Sequence, residues 1–450
     1  MTDTPLYAQL RRMLTEDPYM ERLLKRVTAA HLSWAEFQSI PISGSMSRDA
    51  VWELIRLLNR SVGIEIPVPD LDGNDYWYHR THEIADSIAQ IQCLCRADSS
   101  LYRHLTATRN TAVLARSRID ETIAAALLDG LAVSVEDYEE MLRTGRAPRT
   151  DNERLVYNTL GALDQLEHLR DEPFSYGLLM RLRNLVIDKV DIAGLVHTKR
   201  RLGTISVDYE SGRTAEHAAR QVEYICNYAN HLSGDMHDHA VFRALLLPDL
   251  FRLYQPLPDV NSQVGRLAYR LYTIKTGLPV LGLLPLSQMR LDWEDGKLGS
   301  TLVSHGPAEH AEGRKVNGVD LTDYATLSVQ LALVALLDLN WKLHQLELRD
   351  AELRNLLQWD PEINHRQRSI LGRALKNPQA EFCIAYHKTT HNVVYATARA
   401  DLLELVEKGY LVVGKKGRAM IFTPREGLRE FIESGYRKDN PPNAPEPTRG

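Results

Sequence analysis

The 450-residue chain is short of cysteine, of phenylalanine and of long apolar runs, and the first and last of these shortages exclude whole classes of protein. Its four cysteines, Cys93, Cys95, Cys226 and Cys383, are too few and too scattered for a disulfide scaffold, and no pair has zinc-ribbon spacing. A reducing compartment fits that usage, so a cytoplasmic location is expected. The opening residues, MTDTPLYAQLRRMLTED, carry no apolar core of a secretory signal. The most apolar stretch, Leu327–Trp341, is about fifteen residues long, short of the ~20 a spanning helix needs. It reads as a buried helix, and no membrane partner is expected. A surplus of one charge is missing too: 54 Lys and Arg stand against 59 Asp and Glu, a net of −5. Any nucleic-acid surface must therefore be local. There is no Walker loop and no dinucleotide-binding GxGxxG.

What is present suits a globular protein with a sizeable core: 44% hydrophobic and 25% charged residues. The length suggests two to four domains. Helical periodicity dominates, as at Val51, Leu54, Ile55 and Leu58. A turn cluster is expected over Pro67–Asn74, then a long helical stretch from about Tyr76 to Gly130 with breaks near Asp98–Ser100. Gly145–Asp151 reads as a loop, Asn152–Arg170 as a helix, and Pro173 and Ser175 open another. The clearest β signal is Leu202–Val207 with the turn at Gly212, a small hairpin. Two further helices follow, one starting after Asp238 with a kink or break expected at Pro248, the other after the loop Tyr254–Ser262 and stopping at Gly277. A loop containing glycine and histidine spans about Val303–Val319. The expected organisation is mainly α: an N-terminal helical region over 1–75, a helical core with a β-hairpin flap over 76–300, a helical extension over 301–360, a basic module over 361–425 and a tail over 426–450.

The basic module differs in charge from the rest. Between Ile363 and Pro424 ten Lys and Arg face four acids, a local net of about +6. Three helical segments are expected, the first after Asn364, the second over Ile384–Lys388 and the third over Val394–Lys408. Alternating runs at Tyr410–Val413 and Met420–Thr423 then flank the turn Gly414–Gly417. That order matches a winged helix-turn-helix. DNA is the partner this implies, with Arg399 on the third helix and Lys415, Lys416 and Arg418 on the wing as candidate contacts. Winged helices also serve protein contacts and dimerisation, so a homodimer is the alternative use of this module.

The segment from Tyr254 to Leu267, YQPLPDVNSQVGRL, resembles the signature loop of Fic (Fido) proteins, HPFxDGNGRxxR. Around it, Asp238–Leu278 matches the family's helix–loop–helix, RSRIDET at Arg116–Thr122 resembles its SSxIEG inhibitory helix, and NERLVYNTLGALDQL at Asn152–Leu166 resembles the helix that follows. The hairpin near Arg201–Arg213 stands where the family docks its target protein. The resemblance spans most of residues 75–425 and implies a fold and a chemistry: transfer of AMP from ATP, with Mg²⁺, to a protein hydroxyl. Such chemistry needs a histidine as general base, an acid for Mg²⁺, glycines that shape a backbone nest, and arginines on the phosphates.

By that resemblance Gln255 stands at the general-base position, where an amide has no usable proton affinity. Losing such a base costs about 10²–10⁴ in rate. Asp259 keeps the metal-binding carboxylate. Asn261, Ser262 and Arg266 are the nucleotide or phosphate candidates. Val260 replaces the first glycine, Ser262 the second, and Gln263 the first arginine. Asp120 falls at the inhibitory glutamate and Glu121 at the glycine beside it. The expectation is a Fic-like protein impaired for AMP transfer, acting through nucleotide or phosphate binding and through its C-terminal module. Two alternatives stay open: an active Fic-type transferase with a base from elsewhere, and a DNA-binding regulator. Among lesser candidates, His79 and His82 read as packing on a helix beside Trp77. His237 and His239 flank a helix start and could supply the missing base, and Lys199–Arg201 reads as a solvated basic run.

Overall fold

The computed structural model describes residues 34–41, 47–70, 73–107, 111–197, 215–231, 237–298, 319–356, 360–416 and 419–434, with a few isolated positions before 34. The expected flap hairpin, the basic run at 199–201, most of the loop before Val319 and the end of the chain lie outside the described residues.

Helices α1 (Trp34–Ser39) and α2 (Arg48–Ser61) bury Phe37, Val51 and Ile55 in a small N-terminal cluster. Ser47 starts α2 by accepting a hydrogen bond from the Ala50 amide. Strands β1 (Ile64–Pro69) and β2 (Asp75–Tyr78) then form an antiparallel hairpin. This corrects the sequence reading, which placed a turn cluster at Pro67 and a helix from Tyr76. Ile66 and Val68 alternate into the core, and β1 is a sheet edge, where proline's missing N–H does little harm. Tyr76, Trp77 and Tyr78 are aromatic strand formers, all buried.

Helix α3 (His82–Cys95) begins only after Thr81, whose hydroxyl accepts from the Ile84 amide. Helix α4 (Ser100–Thr106) confirms the expected break near Asp98–Ser100. Helices α5 (Thr111–Leu128), α6 (Val135–Thr144), α7 (Asp151–Ala162) and α8 (Tyr176–Val186) follow, with a 3₁₀ turn over Leu163–Leu169. Then come α9 (Ala215–Asn230), α10 (His237–Tyr254), α11 (Asn261–Lys275) and α12 (Leu286–Glu294). Helix α10 runs through Pro248 without the expected break. Val241, Phe242, Ala244, Leu247, Leu250 and Phe251 bury nearly its whole circumference, and that burial outweighs one lost backbone bond. Helices α10 and α11 approach so closely that a Cβ on Gly265 would stand 2.7 Å from Phe251 Cβ.

Strand β3 (Val319–Asp320) adds in parallel to β2, and α13 (Thr322–Leu356) follows. By length and composition this helix would suffice to cross a membrane, but 56% of its apolar window is buried inside the protein. Its Leu327, Ala332, Ala335 and Leu339 share the main core, while Leu337 and Trp341 are exposed. The run expected to be a buried helix is therefore a segment of a longer helix, buried on one side and exposed at Leu337 and Trp341.

The C-terminal module has its own core. It comprises α14 (His365–Lys376), α15 (Ile384–His391), α16 (Tyr395–Glu407), β4 (Leu411–Lys416), β5 (Ala419–Pro424) and α17 (Leu428–Ser434). Asn364 and Gln367 form a capping box at the start of α14. The module rests on the main core, with α15 against α5 and α6 and α14 against α13.

Candidate functional site

The loop Gln255–Val260 joins α10 to α11 and is held from both ends. The Tyr254 hydroxyl donates to the Pro69 carbonyl of β1. The Asn261 side chain spans the loop: its Oδ1 accepts from the Leu257 amide at 2.8 Å and its Nδ2 donates to the Leu257 carbonyl at 2.8 Å. Asn261 is buried and staples the loop. Gln255 and Val260 both sit at φ 44°, in the left-handed region. Val260 thus takes the backbone shape that favours glycine, although a β-branched residue pays about 1–3 kcal/mol for it. Its side chain packs against the main core, which helps to hold it there.

Each charged group of the loop has a partner inside the protein. Arg183, on α8, grips Asp259 with two guanidinium bonds, Nε donating to Oδ1 at 2.7 Å and Nη2 to Oδ2. Hydrogen bonding to Asp259 raises the Arg183 pKa above its ordinary value. Arg266 makes a second fork, donating to Asp129 Oδ2 at 2.7 Å and Oδ1 at 2.9 Å. Gln263 Nε2 adds a third bond to Asp129 at 3.0 Å. Burial works against the Arg266 charge, yet the Asp129 carboxylate holds its pKa above the usual value. Ser262 lies in the first turn of α11, half-buried.

The acid hydrogen-bonded to Arg266 is therefore Asp129, and neither Asp120 nor Glu121, the residues matched to the inhibitory motif, makes that bond. Asp120 pairs with Arg116 one turn back, at 2.8 Å. Glu121 faces α12, its carboxylate accepting from the Ser287 amide at 2.7 Å and hydroxyl at 2.6 Å. That places an acid at a helix N-terminus, which the dipole favours. Burial still pushes the Glu121 pKa up to about 7, against the pull of Ser287 and Arg266. Asp129 owes its position to the turn ending α5. Gly130, at φ 74°, lets Leu131 N donate to Ala126 O and Gly130 N to Leu127 O. A signal was present: an acid followed by glycine occurs at Asp129–Gly130, as in the IEG of the resembling motif, just beyond the α5 segment that holds Asp120 and Glu121. Nothing in the sequence marks Arg183, 76 residues from its partner.

This arrangement does not fit a Mg²⁺–nucleotide. Both Asp259 oxygens are taken by Arg183, both Arg266 donor arms by Asp129, and Gln255 offers no base. No step through such a group is derived.

The other candidates fall apart. His79 precedes α3 in the chain and is buried, its amide bonded to Thr322 Oγ1, while His82 opens α3 and is exposed. They do not share a helix face. The side chains of His237 and His239 lie outside the described residues. Arg399 is exposed on α16 and Lys415 is exposed on β4, whereas the Lys416 side chain and Arg418 lie outside the described residues. Sequence reasoning missed a buried network behind α16. Asp401 accepts from Arg366 Nε at 2.6 Å and Asn364 Nδ2 at 2.9 Å, with His387 Nε2 at 3.0 Å. Burial opposes its charge, but Arg366, His387 and Asn364 together hold its pKa far below the usual carboxylate range. One carboxylate thereby ties α14, α15 and α16 together.

No family model and no curated protein matches the sequence. The chain is similar to the crystal structure of a Fic family protein from Desulfovibrio desulfuricans G20, at 15% identity over 77% of this chain and 97% of that one, with a TM-score of 0.42. It is also similar to Fic-1 from C. elegans, at 15% identity over 65% of this chain and 74% of that one, with a TM-score of 0.38.

Proposed function

We propose that this is a Fic-like protein whose transfer loop is closed upon itself, impaired for AMP transfer, and that acts through binding and its C-terminal module. One observation carries the reading: the loop keeps its shape while its charges are consumed internally. Asn261 staples the backbone and Val260 holds the left-handed turn. Arg183 and Asp129 meanwhile neutralise the two groups, Asp259 and Arg266, that Mg²⁺ and phosphate would need. A phosphate at the start of α11 would have to displace Asp129 from Arg266. Nucleotide binding is then a regulated event, requiring movement of the end of α5.

The test is transfer of label from ATP in the presence of Mg²⁺. Wild type should label nothing, and Asp129→Ala should gain nucleotide affinity without gaining transfer, because Gln255 supplies no base. The reading fails if wild type transfers label in a Mg²⁺-dependent way that Asp259→Ala abolishes. That outcome would favour an active transferase with a non-standard base.

A second activity has its own support. Three helices and a hairpin with an independent core, Arg399 exposed on the third helix and Lys415 exposed on the hairpin, suit a winged helix on DNA. Charge reversal at Arg399 and Lys415 should weaken DNA binding and flatten its salt dependence. Salt-independent or absent DNA binding would leave the module a protein-contact device.

A further inference from the structure

A cavity of about 640 Å³ lies between the main core and the C-terminal module, away from the loop. Helices α5 and α13 form one wall, α14 and α15 the other. Its size falls within the ~300–1,000 Å³ typical of small-molecule sites. Ile119, Leu339, Leu353, Ile370 and Phe382 make much of its lining apolar.

Its polar groups divide into those already satisfied and those left over. Arg116 is paired with Asp120, Lys342 with Asp338, and Arg368 with Asp350. His104 lies 3.8 Å from Glu347, and His387 is held by Asp401. Arg373 and Lys376, one turn apart on α14, make no ion pair with any described residue. The Arg373 guanidinium is held over the rings of Tyr386, at 5.0 Å, and Phe382, at 5.5 Å. Both cations are exposed, which puts them at the cavity's rim. Inside, His391 lines the cavity, is only 5% exposed, and its Nδ1 has no hydrogen-bond partner among the described residues. A buried polar atom left unpaired costs about 1–3 kcal/mol, so a ligand that bonds it recovers that cost.

We propose that this cavity binds a small organic anion, its apolar body between α5, α13 and Phe382, its acidic head at Arg373 and Lys376, with His391 making the one buried hydrogen bond. Burial, then His387 and His365, push the His391 pKa down to about 3, so its ring is neutral at pH 7 and can donate or accept. Carboxylate, sulfonate and phosphate heads all satisfy the two cations. Since the walls come from both the core and the module, an occupant braces one against the other.

The experiment is a fluorescence titration of the full chain with 8-anilinonaphthalene-1-sulfonate, an aromatic anion, beside the uncharged N-phenyl-1-naphthylamine. One saturable site per chain is expected for the anion. The double variant Arg373→Gln/Lys376→Gln should weaken the anion at least tenfold and leave the neutral dye unchanged. Ser369→Trp, which fills the cavity, should abolish both; Ala351→Trp at an exposed position on the same rim serves where Ser369→Trp does not fold. Equal anion affinity in wild type and the double variant would overturn the proposal. So would persistence of both dyes in the folded tryptophan variant, or no saturable site at all.

Discussion

Two places in this molecule gather arginines, and they differ in where the charge goes. At the loop between α10 and α11 each described arginine is forked onto a carboxylate: Arg183 on Asp259 and Arg266 on Asp129. At the cavity under the C-terminal module, Arg373 and Lys376 make no ion pair, and a buried imidazole nitrogen no hydrogen bond, with any described residue. The first arrangement is complete without a ligand. The second is not. A site that resembles a catalytic loop in sequence can thus be a structural lock, and a site without any motif can be the one with unspent interactions.

The strongest way to break that contrast is to remove Asp129. Asp129→Ala strands Arg266 in a mostly buried position and should cost about 3–5 kcal/mol in urea unfolding. Asp129→Ala combined with Arg266→Met should recover most of it, because no charge is left behind. Arg373→Gln/Lys376→Gln, at exposed and unpaired positions, should move stability by less than about 0.5 kcal/mol. Equal losses in the two regions would erase the distinction.

Arg183→Ala comes next. It should cost about 1–2 kcal/mol, since the pair is partly exposed to solvent. It should also free Asp259, and calorimetry should then detect Mg²⁺ binding that wild type lacks.

The two regions should also titrate in opposite directions. The folded pKa of Glu121, about 7, lies above the ordinary carboxylate value, so its contribution is full at low pH and is lost as pH rises through 7. Glu121→Gln should flatten the loss of stability between about pH 4.5 and 7. The folded pKa of His391, about 3, lies below its ordinary value, so its contribution is full above about pH 6.5 and is lost as pH falls toward 3. His391→Phe should flatten that acid limb. Unfolding curves of wild type and each variant from about pH 3 to about pH 8 separate the two effects.

The smallest effect is expected at Val260. Val260→Gly relieves the left-handed strain but loses packing and chain stiffness, and the net change should stay within about 1 kcal/mol of wild type. A loss as large as that of a core Val→Gly substitution would mean that the turn does not need its left-handed shape.

Much of the local architecture was legible beforehand, because it rests on short-range chemistry. The capping asparagine of α14 and the serine that opens α8 sit where the sequence predicts them. The β4–β5 hairpin is also present, but the expected turn at Gly414–Gly417 is corrected: Gly414, Lys415 and Lys416 pair with Ile421, Met420 and Ala419 as part of β4. The mostly helical architecture follows from the same periodicity. The β1–β2 hairpin was misread because its prolines look like a turn, and only its place at a sheet edge makes them tolerable. In the site, the loop's position between two helices could be read from Tyr254–Ser262. The residue that engages Arg266 could not, because Asp120, Glu121 and Asp129 share one helix and its final turn, and α11 contacts that segment only in the folded state.

By itself, then, the sequence determined which residues stand at the loop, that an amide occupies position 255, and that a basic module of helices and a hairpin follows near residue 360. These properties depend on identity and on spacing within a few turns. Tertiary structure alone decided what the remaining charges do. Arg183 reaches Asp259 across 76 positions and Arg266 reaches Asp129 across 137. His391 lines the cavity between α5, α13, α14 and α15 with its Nδ1 unpaired among the described residues. Ionic and hydrogen-bond partners are chosen by distance in space, and that distance is set only when the helices pack.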